Sequence, residues 1–529
     1  MKRFYLLIFL FFIKLISVAQ LQLPAFTITT LDTVSANGSV GYYFMTNNTN
    51  LLILDKVGNI VYDKPVSALD FSMQHNGMMT YYNNNTHNFR FMDSTFIVVD
   101  SIGCKNGLQT DPHELQLLAN GHFLMLGNEF ITMDLSNYYE FTNNNSPGNA
   151  AAITKCSVIQ EQDVNRNVVF EWHAKNYFSF ADVDTFFLNS PYNVDWIHSN
   201  AVEMDTDGNI LLSSRHLDEV TKINHSDSSI IWRMGGRQNQ FTFVGSPLPY
   251  FGQHDIRRLS NGNVSLYDGG NHYTPHYSRP LEFQLDEVNK IATQKWTYVY
   301  DSTMYSTAMG NAQRLANTNT LVDYGLITSD SVTFVVVDTA GNKMFELDGP
   351  HTYRVYNYPS LPFQLHRPKI SCFDSVGVTY LDAGANHISY LWNTGATTRV
   401  IAIPNTVAHY QVFVPYGDGG FMGSELFIIN DTTNLCSSTS VAVADLKRND
   451  MEINISPNPV SSSATLYFYL PENTAISISI KDISGRLLRV ITNKMEVKGA
   501  HQLVFNTSDL SAGVYFISVN QSVKKFIKL

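Results

Sequence analysis

The chain has 529 residues, and 35 Lys and Arg against 46 Asp and Glu leave a net charge of −11. A hydrophobic share of 44% excludes disorder, which needs few apolar residues. The acidic balance excludes general nucleic-acid binding, because phosphate contacts need a basic face. Only 15% of residues are charged, while Asn, Ser, Thr, Tyr and Phe are plentiful, a composition that suits strands and turns. The expectation is a secreted, mostly β protein of two to four domains.

Residues 1–19 begin with Lys2 and Arg3, run through an apolar stretch and close on Ser17, Val18 and Ala19. A charged start, an apolar middle and small residues before Gln20 predict a cleaved signal peptide. No Cys follows the apolar stretch, which disfavours a lipid anchor, and no later apolar run approaches the ~18 residues of a membrane span. No membrane span is therefore expected in the mature chain. Four cysteines are too few for a disulfide scaffold. Cys372 with Cys436 is a plausible bridge, whereas Cys104 and Cys156 either pair or lie buried singly.

Residues 36–360 carry a repeat with two halves. One half is a strand with an asparagine–glycine type of turn: PHELQLLANGHFLML (112–126), HSNAVEMDTDGNILLSS (198–214) and HDIRRLSNGNVSLYD (254–268), with weaker copies at 69–82 and 310–325. The other half is a strand beside an acidic turn, as in DKVGNIVYD (55–63), DVNRNVVFEW (163–172) and DTAGNKMFELD (338–348). Alternating apolar residues around such turns predict hairpins. Leu69, His113, His198, His254 and Gly310 are taken as equivalent positions, at intervals of 44, 85, 56 and 56 residues, the long one holding an insertion around 140–195. Several short strands per unit of this length predict a β-propeller of six blades, with five or seven as alternatives. Trp172, Trp232 and Trp296 recur in the partner strand and are expected to pack it.

The repeat stops before residue 368. Residues 368–440 resemble the small immunoglobulin-like modules of secreted Bacteroidetes proteins, with Trp392 ahead of a Thr-Gly turn, and 441–450 read as a linker. The tail, 451–529, holds Pro457-Asn458-Pro459, a turn at Asp482 to Arg486, the stretch Leu510 to Tyr515, and Lys524, Lys525 and Lys528. In that order these motifs closely resemble the type A sorting domain of type IX secretion. The resemblance implies the type IX machinery as a partner and a secreted or cell-surface location. The whole chain is expected to be all-β: a six-bladed propeller, a small immunoglobulin-like sandwich and a C-terminal sandwich.

Inner strands of a propeller line its central channel, so residues at one repeat position converge at one mouth. His113, His198 and His254 hold that position, and Arg215 follows the strand that begins near His198. Three imidazoles and a guanidinium make an anion site, the planar fork of arginine matching tetrahedral oxyanions. A three-histidine zinc site competes with that reading, although Arg215 would repel the metal. A third possibility is histidines that merely cap strands. Asp255, Tyr267, Asp268, His272 and His276 lie near the strand of His254 and are candidates for the wall of an acceptor pocket. His216, next to Arg215, is expected by strand alternation to face away and be structural.

DPHELQLLANGHFLML, DWIHSNAVEMDTDGNILLSSRH, IIWRMGG, FGQHDIRRLSNGNVSLYDGG and GNAQRLANTNTLVDYG together resemble the bacterial arylsulfotransferases, which need no nucleotide sulfate donor. The resemblance spans 36–360 and implies a six-bladed propeller, an aryl sulfate donor, a phenolic acceptor and neither cofactor nor metal. It implies His254 as a nucleophile that becomes transiently sulfated, with His198, Arg215 and His113 holding the sulfuryl oxygens. Tyr267, Asp268 and His272 are carried as substrate-binding candidates. The extra N-terminal strand domain of some family members is missing here. Two other classes remain open on the residues: a propeller that binds an anionic or sulfated ligand without turnover, as an adhesin would, and a metal-dependent hydrolase or lyase.

Overall fold

The computed structural model describes residues 26–31, 41–138, 148–246, 249–327, 332–406, 408–429, 436, 454–470, 473–482, 487–520 and 522–528. The expected signal peptide, the linker 441–450 and positions 483–486 of the tail's turn lie outside these residues. The chain forms two compact units, 1–439 and 440–529. Strands dominate both, and the helical pieces among the described residues are short 3-10 turns. None of the described helices is long and apolar enough to cross a membrane.

The turns that the repeat predicts form as expected. In four of the five copies a glycine at position four donates its N–H to the carbonyl at position one, from Gly77, Gly121, Gly208 and Gly262 to Gln74, Leu118, Asp205 and Leu259, and Thr318 does so to Leu315 in the fifth. The acidic turns close with the same backbone bond, from Gly58, Arg166 and Gly341 to Asp55, Asp163 and Asp338, and add side-chain bonds. Asp55, Asp163 and Asp338 each accept N–H groups two and four residues on with one carboxylate oxygen, which is how a short acidic side chain reverses a chain.

Six largely antiparallel sheets are built from the strands between residues 27 and 358. Their first strands are Ala68–Met73, Gln109–Leu117, Ser199–Met204, His254–Arg258, Asn311–Arg314 and Val355–Tyr358. The first four of these sheets in chain order are each built on four consecutive strands, to which the second adds Asn193–Asp195 and the fourth adds Thr242–Val244, both in parallel pairing. The fifth gains Thr27–Leu31 beside Lys343–Asp348. The last pairs Val355–Tyr358 with Tyr42–Thr46, so strands from the two ends of the span share one sheet. Side-chain amides fasten neighbouring first strands: Asn311 exchanges two hydrogen bonds with the backbone of Val355, and Gln313 does the same with Asn357. Apolar residues of adjacent sheets share cores, as Trp232, Met234, Ile256, Val264 and Phe283 do. Trp172 and Trp232 are buried in this way, and Arg314 lies 4.6 Å over the half-buried Trp296.

Residues beyond 368 add a three-stranded and a two-stranded sheet and a further set that continues the last sheet outward. Gly420–Gly423 pairs with Ile60–Pro65, placing Phe421 opposite Asp63. The Gln411 amide donates to the carbonyl of Ile60 at 2.7 Å, and Arg367 pairs with Glu425 at 2.6 Å. These strands cover an edge that would otherwise offer unpaired backbone groups. Cys372 and Cys436 are disulfide-bonded, whereas Cys104 and Cys156 are free thiols.

The second unit packs a three-stranded against a four-stranded sheet around Leu466, Ile478, Ile517 and Phe526. Its proline-flanked asparagine has a plain structural use. Asn458 accepts the N–H of Ile527 at 2.9 Å and donates to the carbonyl of Lys525, tying the motif to the basic final strand.

Candidate active site

The turns set where each histidine falls. His113 and His254 stand five residues before their turns begin at Leu118 and Leu259. His198 stands seven before the turn at Asp205, and Asn200 takes the equivalent place. His198 nevertheless reaches the site because its backbone is left-handed, with φ 49°, just ahead of the strand. That conformation is costly for a residue with a side chain. It is held by the N–H groups of Arg215 and His216, which donate to the carbonyls of His198 and Ile197.

The three imidazoles come together with different partners. His113 and His198 meet edge to face, 5.1 Å between ring centres. Each turns Nδ1 to an aspartate, His113 to Asp111 at 2.5 Å and His198 to Asp195 at 2.6 Å. Lys155 lies between the two carboxylates, 3.7 Å from Asp111 and 3.5 Å from Asp195. Burial opposes ionisation of both aspartates, yet their histidines and Lys155 outweigh it and hold both well below the usual carboxylate range. Burial lowers His198, and Asp195 only partly offsets this.

His254 is built otherwise. It is 3% exposed, its Nδ1–H donates to the carbonyl of Gly252 at 3.0 Å, and its Nε2 accepts the N–H of Met309 at 3.2 Å. Burial, then Arg215, His198, His113 and Arg354, push it well below the ordinary histidine value. A carbonyl on one nitrogen and an N–H on the other define the neutral ring with its lone pair on Nε2. Gly252 has φ +59°, and a Cβ there would meet Asn271 Oδ1 at 1.9 Å, so only glycine fits.

Arg215 opens the 3-10 turn Arg215–Leu217, which follows the strand Ile210–Ser214. Its guanidinium lies 4.4 Å over the ring of Phe187 and donates to the carbonyl of Thr307 at 2.8 Å and to His216 Nε2 at 2.9 Å. The expectation that His216 faces away is therefore corrected. Alternation ends with the strand at Ser214, and the turn swings His216 onto His198, 4.6 Å away. A cavity of about 270 Å³ is lined by Phe187, Asn189, Asp195, His198, Arg215 and His216, among others.

The other candidates separate. Tyr267 lies opposite His254 on the next strand, fully buried among Met304, Val322 and Tyr324. Asp268 is buried and committed: it accepts from the backbones of Phe251 and Gly270, the hydroxyl of Tyr273 and the guanidinium of Arg279. Asp255 pairs with Arg257 at 2.6 Å. His272 reaches Asp184 at 2.6 Å beside a second cavity of about 310 Å³, and His276 stacks on Tyr305. Residues that the sequence reading missed include Asp111, Asp195, Lys155, Phe187 and Met309. The aspartates had a local signal, an acidic residue two or three positions ahead of each histidine. Phe187 lies in the insertion and Met309 acts through its backbone, so neither showed one.

Beside the histidines lies a buried ionic network. Arg354 is 2% exposed and donates to the carbonyls of His113 and Asn200 and to the carboxylates of Glu114 and Asp70 at 3.0 and 3.3 Å. Arg257 joins Glu114 to Asp255. Burial pushes Asp70 up to about 7, with Arg354 opposing it.

The family model described as Arylsulfotransferase (ASST) matches residues 27–358. The chain belongs to this family. Membership brings with it an arylsulfotransferase domain whose substrates are small molecules. A second model, the secretion system C-terminal sorting domain, matches 454–529 and marks the chain for type IX secretion to the cell surface or outside. No curated protein matches the chain. Among solved structures, a Bacteroides caccae protein of unknown function is 11% identical, with 60% of this chain and 98% of that chain covered and a TM-score of 0.38. Virginiamycin B lyase from Staphylococcus aureus is 10% identical, with 68% and 95% covered and a TM-score of 0.33. The Cps50 (Swd1) β-propeller domain of Myceliophteria thermophila is 9% identical, with 67% and 96% covered and a TM-score of 0.30. At such scores these likenesses add nothing to the family match.

Proposed function

We propose that this arylsulfotransferase moves a sulfuryl group from a phenolic sulfate ester to a phenolic acceptor through a sulfo-histidine at His254. The observation that carries the reading is the hydrogen bonding of His254. Its Nδ1–H is committed to Gly252, which puts the nucleophilic lone pair on Nε2, and attack on sulfur requires Nε2 to give up the Met309 N–H that it accepts at rest. Six sheets whose first and last segments share one sheet support a six-bladed propeller, and the strands after 368 support an immunoglobulin-like module.

Nε2 attacks sulfur as the bond to the aryl oxygen breaks, and the phenolate leaves with that electron pair. Arg215, His113 and His198 stabilise the charge on the sulfuryl oxygens. Asp111 and Asp195 hold the Nδ1 side of these two rings and so fix their orientation. Pre-aimed donors of this kind contribute about 3–4 kcal/mol each. The acceptor phenol then attacks sulfur, the N–S bond breaks and His254 regains its lone pair. The proton shed by the acceptor balances the one taken up by the departed phenolate.

Intact mass after brief incubation with 4-nitrophenyl sulfate and no acceptor tests this reading. One added sulfuryl group is expected. No adduct and no nitrophenol at any pH would shift the reading to a propeller that binds anions without turnover. The pH dependence is a second check. A base whose value lies well below 6.5 stays neutral at mildly acid pH, so the sulfation rate should hold steady from pH 7 down past 6.5 and fall only in more acid buffer. A midpoint at or above 6.5 would contradict a neutral His254 nucleophile.

A further inference from the structure

We propose that Asp218 is a positioning residue that holds Arg215 and His254 in one geometry, as the buried half of a carboxyl pair with Asp184; this rests on the sulfo-histidine reading. Asp218 ends the turn of Arg215 in a left-handed conformation, φ 52°, with its N–H donated to the carbonyl of Arg215 at 3.2 Å. Its Oδ1 accepts the N–H of Gly252 at 2.6 Å, and the Gly252 carbonyl accepts Nδ1–H of His254 at 3.0 Å. One side chain thus joins the guanidinium's turn to the residue that sets the nucleophile's tautomer. Partners that orient a reacting group in this way are commonly worth 10- to 100-fold in activity.

The second carboxyl makes the device sensitive to protonation. Asp184 donates its N–H to the carbonyl of His216 at 2.8 Å, hydrogen-bonds Asp218 through its side chain and reaches His272 at 2.6 Å. Oxygens of Asp184 and Asp218 and a ring nitrogen of His272 lie within 4.8 Å of one another. Asp268, Arg215 and Tyr250 also face Asp218, and Arg237 lines the same cavity. Burial, followed by Asp184, raises the Asp218 carboxyl well above the usual range. A hydrogen bond between two carboxyls needs a shared proton. When that proton leaves at alkaline pH, repulsion separates the Asp184 segment from the turn of Arg215.

Single-turnover sulfation of the full chain by 4-nitrophenyl sulfate, read across pH, tests the pair. Asp218→Ala should slow sulfation about 10- to 100-fold with less than about a threefold change in KM. Asp218→Asn keeps an acceptor for Gly252 and cannot ionise. It should recover most of that loss at pH 7 and lack the alkaline fall of the parent protein. An Asp218→Ala protein at the parent rate, or an Asp218→Asn protein that keeps the alkaline fall, would overturn the proposal. Nitrogen NMR of ¹⁵N-histidine protein reads the His254 tautomer without turnover. Nδ1–H should dominate in the parent and in Asp218→Asn, and become mixed in Asp218→Ala. An unchanged tautomer in Asp218→Ala would overturn the proposal even if the parent protein forms no adduct, the outcome that defeats the sulfo-histidine reading alone. Should Asp218→Ala fail to fold, the pH profile of Asp218→Asn decides.

Discussion

The His254→Asn protein is expected to fold normally, bind aryl sulfate and lose turnover by on the order of 10⁴-fold or more. Asparagine places an amide nitrogen where Nδ1 stands, so the hydrogen bond to the Gly252 carbonyl survives. It has no atom at the place of Nε2, so nothing attacks sulfur. Arg215, His113 and His198 remain to bind the anion, and affinity for aryl sulfate should change little. Intact mass should show no added sulfuryl group, and the melting temperature should stay within a few degrees of the parent. A sulfuryl adduct on the His254→Asn protein would place the nucleophile elsewhere, and His198 would be the next residue to replace.

Replacing Arg354 by leucine should be among the most destabilising single changes in the chain. The guanidinium pairs with Asp70 and Glu114 and donates to the carbonyls of His113 and Asn200. Removing one partner of a buried ion pair leaves its carboxylates without compensation, at a cost of about 3–5 kcal/mol. A drop of about 4–6 °C in the melting transition of residues 26–439 is expected. The pH dependence has a definite sign. Asp70 is raised to about 7 in the folded chain, and Glu203 and Asp323 are raised likewise. A raised carboxyl lends stability below its unfolded value and loses it as pH rises through about 7. Protonated Asp70 tolerates the loss of Arg354, so the leucine protein should be hurt more at pH 8 than at pH 5. Thermal melts at both pH values check this, and equal losses would remove Asp70 from the explanation.

The amino-acid sequence by itself determined the strand content, the turns and the two matched regions. Each of these is local: an asparagine–glycine turn needs a glycine with positive φ, and a half-buried strand needs alternation. Nomination of His113, His198, Arg215 and His254 also came from the sequence, through spacing and family motifs. Only the tertiary structure decided how they meet. His198 is out of step with the other two histidines, and a left-handed backbone brings it into place. Strand alternation carried past Ser214, into a turn, puts His216 on the wrong face. Tyr267 and Asp268 are pocket residues by proximity in the chain, yet adjacent strands bury them and satisfy the carboxylate of Asp268. The partners of His254 are a carbonyl and an amide of the backbone, at Gly252 and Met309. Backbone groups are present at every residue, so no sequence pattern marks the two that set this tautomer. Folding alone brings them to the ring.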